Sequence, residues 1–215
     1  MDFGEVQDLK VCVLYENSLN LEEVGELEKA WAKELELYKI HLEFTRKIQT
    51  ARIGFFSGEV IQELYTYKLE ENCDRILYLV GREGSDIAFE SLMIGLFLAT
   101  GLKLEIQGAV ETYSNTRGYI KAKYISLLQL LFDSPESTLI HEGYHLLGCP
   151  HALWKDECYQ IIQSAKKRNL QNESSNKIFS VKSLSGSNPK TWETREDVDK
   201  FLGSKKELPK QIPHL

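Results

Sequence analysis

Residues His141-Glu142-Gly143-Tyr144-His145-Leu146-Leu147-Gly148-Cys149-Pro150-His151 spell H-E-x-x-H-x-x-G-x-x-H. The chemistry these residue types could do at this spacing is metal-assisted hydrolysis. Side chains four apart share one face of an α-helix, so His141 and His145 can aim two imidazoles at a single ion. Glu142 then falls beside the open coordination position, placed to take a proton from a metal-bound water rather than to ligate. Gly148, lacking a Cβ, can adopt the left-handed conformation that ends a helix and reverses the chain, bringing His151 back toward the ion. Three neutral imidazoles suit one Zn²⁺ per chain and leave a fourth position free, the arrangement of a catalytic rather than a structural site.

A helix here must start just upstream and bury one face. Asp133 or Ser134 suits the N-cap, Pro135 the first helical position, and Asp133 with Glu136 has the spacing of a capping box. Leu139, Ile140, Leu146 and Leu147 supply apolar surface, and inward-facing histidines on such a helix are costly unless paired or ligated. Average residue frequencies put a chance match to the five specified positions on the order of 10⁻⁵ for a chain of this length. The residues leave one alternative open: a non-catalytic zinc-binding protein, or a partner-binding module, with a degenerate site of the same pattern. Glu142 speaks against it, because a structural site needs no base beside its ligands.

The elements that must position the motif are legible upstream. Leu9 to Tyr15 reads as a first strand, and Asn20 to about Tyr38 as a helix with Leu21, Val24, Leu27, Trp31 and Leu35 near helical spacing. Short strands are expected at Leu42–Thr45 and Ile53–Phe56, and a second helix over Gly58–Glu70. Arg75–Val80 has an apolar run without alternation, which predicts a strand buried on both faces. A third helix is expected over Asp86–Thr100. Leu102–Glu111 and Gly118–Ser126 read as two strands joined by a hairpin loop at Tyr113–Arg117. Beyond His151 the chain turns polar, with a loop or linker expected at Asn169–Asn188 and a short terminal helix around Trp192, Val198, Phe201 and Leu202.

The eleven-residue motif resembles that of the metzincin zinc peptidases, whose signature continues into a Met-turn. The resemblance is strongest over residues 104–162, and in size the chain is similar to the archaemetzincin-like proteins. It implies His141, His145 and His151 as zinc ligands and Glu142 as general base, with zinc lowering the pKa of its water from about 15.7 to near 7. It further implies Tyr159 as an electrophile near the metal, and an edge strand at Lys103–Val110 that holds extended peptide. The implied fold is α/β (α+β): a mixed twisted sheet with flanking helices in residues 1–148, ending in the active-site helix, and a small irregular subdomain in 149–215. Two features depart from the pattern. The only methionines, Met1 and Met93, lie upstream, so the nearest stand-in for the Met-turn is Cys158-Tyr159-Gln160-Ile161-Ile162. A cysteine-rich second zinc site is also unmatched, since Cys149 and Cys158 are too far apart for a C-x-x-C half-site.

Composition bounds the rest. A chain of 215 residues can form one domain or a compact two-lobed one without staples. Its net charge of −6 argues against nucleic acid as partner, and the resemblance implies a peptide or protein substrate. Basic clusters at Lys166-Lys167-Arg168 and Lys205-Lys206 read as solvated surface. No leader follows Met1, and the apolar stretch Leu92–Leu102 is too short to span a bilayer, so a cytoplasmic protein without membrane partner is expected. Scattered Cys12, Cys73, Cys149 and Cys158 then predict no disulfides, with Cys149 a plain buried thiol. His41 and His214 are expected to do no chemistry.

Overall fold

The computed structural model of the chain describes residues 6–69, 72–100, 107–112, 114–123, 134–149 and 162. Strands and helices alternate up to β4, which β5 follows directly: β1 (Gln7–Glu16), α1 (Leu21–Glu36), β2 (Ile40–Thr50), α2 (Ser57–Leu64), β3 (Arg75–Val80), α3 (Gly84–Thr100), β4 (Gly108–Val110), β5 (Arg117–Lys121) and α4 (Pro135–Leu146). The five strands make one mixed sheet in the order β2-β1-β3-β5-β4, parallel throughout except for β4, which runs antiparallel to β5 at the edge. This is the mixed α/β fold expected from the sequence.

Two apolar layers cover the sheet. Leu9, Val11 and Val13 of β1 point to the side packed by Val24, Leu27, Trp31 and Leu35 of α1, and the same cluster takes in Leu139 and Leu146 of α4. Leu14 of β1 with Ile76 and Tyr78 of β3 faces the other way, against Val60 and Leu64 of α2. β3 is buried at all six positions, as its unbroken apolar run requires. α1 starts at a capping box in which Asn20 and Glu23 exchange side-chain-to-backbone bonds of 2.9 Å. Ile162 is buried in the first cluster.

Several expectations are corrected. The first of the two short strands, expected at Leu42–Thr45, is a longer β2 paired with β1 from Ile40 to Thr50. Its first half alternates Ile40, Leu42 and Phe44 inward, but as an edge strand its second half carries exposed polar residues that hide the strand in the sequence. Ile53–Phe56 is not a strand, because the Phe55 and Phe56 N–H groups donate to the Glu59 carboxylate and so form the entry to α2. α2 ends at Leu64 rather than Glu70. The expectation of no disulfides also fails: Cys12 and Cys73 pair, their Cα atoms 5.6 Å apart, and Cys149 is disulfide-bonded too. The parallel register that sets Cys12 opposite Ile76 brings Cys73 alongside, a proximity that a 61-residue separation concealed.

Charged groups meet at the C-terminal ends of the parallel strands. Arg52 bonds both oxygens of Glu16 (3.0 Å each) and both of Asp86 (2.8 and 2.7 Å). Glu16 also accepts from the Tyr78 hydroxyl at 2.6 Å and from Gly81 N at 3.0 Å. The network ties the start of α3 to β1 and β3. Among the described residues no helix is long and apolar enough to cross a membrane. The expected loop at Asn169–Asn188, the terminal helix around Trp192 and the basic clusters lie outside the described residues, as does the greater part of the subdomain 149–215.

Candidate metal centre

α4 carries the motif. Ser134 is its N-cap, with Oγ accepting from Ser137 N at 3.1 Å, and Pro135 takes the first turn, where its missing N–H costs nothing. Asp133 lies outside the described residues. One side of the helix docks on α1 and needs Gly143 there, since a Cβ would overlap the Trp31 indole. The other end stops in a Schellman turn: Gly148 is left-handed (φ 91), its N–H reaches His145 O at 2.8 Å, and Cys149 N reaches Tyr144 O at 3.0 Å. This is the helix stop that the glycine predicts.

His141 and His145 converge. Their Nε2 atoms lie 3.3 Å apart, with ring planes at 82°. Two nitrogens bound to one tetrahedral zinc at about 2.0–2.1 Å are separated by about 3.3–3.4 Å, so the pair already stands at ligand spacing. His145 is buried and His141 exposed, which puts the space between them at the protein surface. His145 Nδ1 is 2.7 Å from Cys149 O. A carbonyl can only accept, so Nδ1 carries the proton, and in the neutral ring Nε2 presents its lone pair toward His141. Such an orienting bond is characteristic of metal-binding histidines.

Glu142 is buried, and its Oε2 has no hydrogen-bond partner among the described residues. Burial alone pushes its carboxyl up to about 7. β4 presses on it: a Cβ at Gly108 would come within 2.7 Å of Glu142 Cγ, so only glycine allows the edge strand this close. A buried acceptor left open calls for a reason, and a proton donor arriving with a ligand is one. The described part of the expected edge strand, Gly108–Val110, is thus at the sheet edge and against the candidate base. The remainder of Lys103–Val110, through residue 106, lies outside the described residues.

Because the folded-state pKa of Glu142 is raised above its ordinary value near 4.5, the fold favours its protonated form. Below about pH 4.5 both folded and unfolded chains are protonated and no penalty exists; as pH rises toward and through 7 the unfolded chain ionises more readily and stability is lost. For zinc-free protein we expect a loss of about 3 kcal/mol between pH 4.5 and pH 8, read as the difference between wild type and Glu142→Gln in urea unfolding so that histidine titration cancels. Equal pH profiles for the two proteins would remove the burial argument.

His151 and Tyr159 lie outside the described residues. Among the described residues no group of three His, Cys, Asp or Glu side chains is arranged to hold a metal, so the candidate centre is a two-histidine pair with a neighbouring carboxylate. Tyr144, the phenol within the motif, is a packing residue: its hydroxyl bonds the Tyr38 hydroxyl at 2.8 Å and Glu34. His41 stands apart, exposed and 3.1 Å from Asp8. Sequence reasoning missed Gly108, Asn115 and Arg75, which reach α4 from the sheet. The only signal for Arg75 was a charge opening an otherwise apolar strand.

No family model matches the chain and no curated protein matches it. Among solved structures it is similar to archaemetzincin from Methanopyrus kandleri, at 14% identity and a TM-score of 0.38, over 75% of this chain and 97% of that one.

Proposed function

We propose that the chain is a zinc metallopeptidase, a hydrolase of peptide bonds, with His141, His145 and His151 as ligands and Glu142 as general base. The observation that carries the reading is the 3.3 Å convergence of two imidazole nitrogens one residue from a buried carboxylate with an open oxygen. The donor set fits zinc: one ring has its tautomer fixed toward the partner ring, and the motif supplies a third imidazole two residues beyond Cys149. Zinc held there supplies Lewis-acid activation of a water and of the scissile carbonyl. Glu142 accepts the proton and returns it to the leaving amine, a role suited to a buried carboxylate with an open oxygen. Tyr159 is the proposed electrophile, since the Tyr144 hydroxyl is engaged elsewhere. An extended peptide is the proposed substrate, lying along the β4 edge, with neither nucleic acid nor membrane as partner.

The division at residue 148 into an α/β subdomain and a small C-terminal one belongs to the proposal. So does a cytoplasmic location, against which the Cys12–Cys73 disulfide weighs. Thiol counting on protein isolated with an alkylating agent decides it: four free thiols per chain keep the cytoplasm, two or fewer remove it.

The test of the site is elemental analysis of wild type beside His151→Ala. One zinc per chain in the wild type, and its loss in the variant, is expected. No zinc in either would end the peptidase reading. The non-catalytic alternative predicts a different outcome on chelation, a large loss of stability with no hydrolysis of any library peptide before or after.

A further inference from the structure

The last turn of a helix leaves carbonyls without intrahelical donors. At the end of α4 these carbonyls are engaged, and two of the donors come from the sheet. His145 O accepts from Asn115 Nδ2 at 2.9 Å, in addition to Gly148 N. Leu146 O accepts from Arg75 Nε at 2.7 Å. Asn115 belongs to the turn between β4 and β5, and Arg75 opens β3; both are buried.

Each donor is itself held. Asn115 has a left-handed backbone (φ 56) in a turn organised by the buried Glu111 carboxylate, which accepts from Ser114 N (3.1 and 3.0 Å), Thr116 N (2.9 Å) and the Ser114 hydroxyl. Arg75 NH1 donates to Asp74 O at 2.7 Å, and its cation sits at the negative end of the helix dipole. The sheet therefore grips the helix end at two consecutive carbonyls.

We infer that Asn115 and Arg75 are positioning residues for metal binding at His145. The inference rests on the zinc reading and extends it to residues that touch neither metal nor substrate. The His145 ring is oriented by Cys149 O, and Cys149 is the residue whose N–H closes the Schellman turn. The clamp anchors that same turn. Releasing it lets the last turn fray, moves Cys149 O away from Nδ1, and frees both the ring orientation and the tautomer of His145. His141, a full turn earlier, does not depend on the clamp.

The experiment measures zinc affinity of the full chain by competition with a chromophoric chelator, beside thermal unfolding of the zinc-free protein. Asn115→Gly keeps the left-handed backbone at no steric cost and deletes the amide. Arg75→Lys keeps the cation and loses the rigid fork. For Asn115→Gly we expect about 10- to 100-fold weaker zinc binding, the usual effect of removing a ligand-orienting partner, with a zinc-free melting temperature near that of wild type. Arg75→Lys should shift affinity in the same direction. Wild-type affinity in a folded Asn115→Gly would overturn the inference, and so would lowered zinc-free stability with unchanged affinity, which is a packing role. Should Asn115→Gly not fold, Arg75→Lys decides on the same readout. Wild-type protein that takes up no zinc would overturn the metal reading itself, an outcome distinct from both variant results.

Discussion

Glu142→Gln is expected to retain one zinc per chain and to hydrolyse peptide about 10²- to 10⁴-fold more slowly, the range for removing a positioned general acid–base. The substitution is nearly isosteric and sits in a tight place, between α4 and the Gly108 backbone, so the packing that holds the carboxylate should survive. The ligands are the histidines, so metal should stay. Zinc content and turnover of a peptide library, measured on the same preparation, check both halves. Undiminished turnover would remove Glu142 from the chemistry. Loss of zinc together with turnover would instead make it part of the metal site. The same variant should be the more stable protein at pH 8 in zinc-free form, because it no longer buries an ionised group.

Arg52→Met is expected to destabilise the chain by about 3–5 kcal/mol, the cost of breaking a buried ion pair from one side. Arg52 satisfies Glu16 and Asp86 together, and Glu16, 1% exposed, is left buried without its cation when the guanidinium is removed. The Tyr78 hydroxyl and Gly81 N remain as donors to Glu16, but neither carries charge. For a domain of this size the loss corresponds to roughly 10 °C in melting temperature. Lys29→Ala makes the contrast: its pair with Glu26 is fully solvated, and no measurable shift is expected. Equal melting temperatures for Arg52→Met and wild type would show that the network is not under load. Zinc affinity should change little in either protein, since the hydrogen bonds of Arg52 go to Glu16 and Asp86 and none reaches α4.

The local part of the fold was legible because it follows from spacing alone. Arg75–Val80 is the strand its unbroken apolar run predicts, α1 begins at the Asn20–Glu23 capping pair, and α4 runs from Pro135 to a left-handed Gly148. β2 was half hidden because an edge strand exposes polar side chains that carry no period, and Phe55-Phe56 read as a strand because nothing in two phenylalanines reveals that Glu59 takes their N–H groups. Tyr144, inside the motif, is a packing residue only because it bonds Tyr38 and Glu34, 106 and 110 residues away.

What the sequence by itself determined is the chemistry on offer: two imidazoles and a carboxylate on one helix, and a glycine to end it, all set by a period of 3.6 residues that operates over eleven positions. Only the tertiary structure decided how those groups are poised. The depth of Glu142 depends on how closely β4 approaches, the tautomer of His145 on where Cys149 O comes to rest, and the end of α4 on Asn115 and Arg75 from two other elements. Burial and hydrogen-bond partnership are properties of neighbours in space, and those neighbours are brought together by the sheet order β2-β1-β3-β5-β4, which no local pattern encodes.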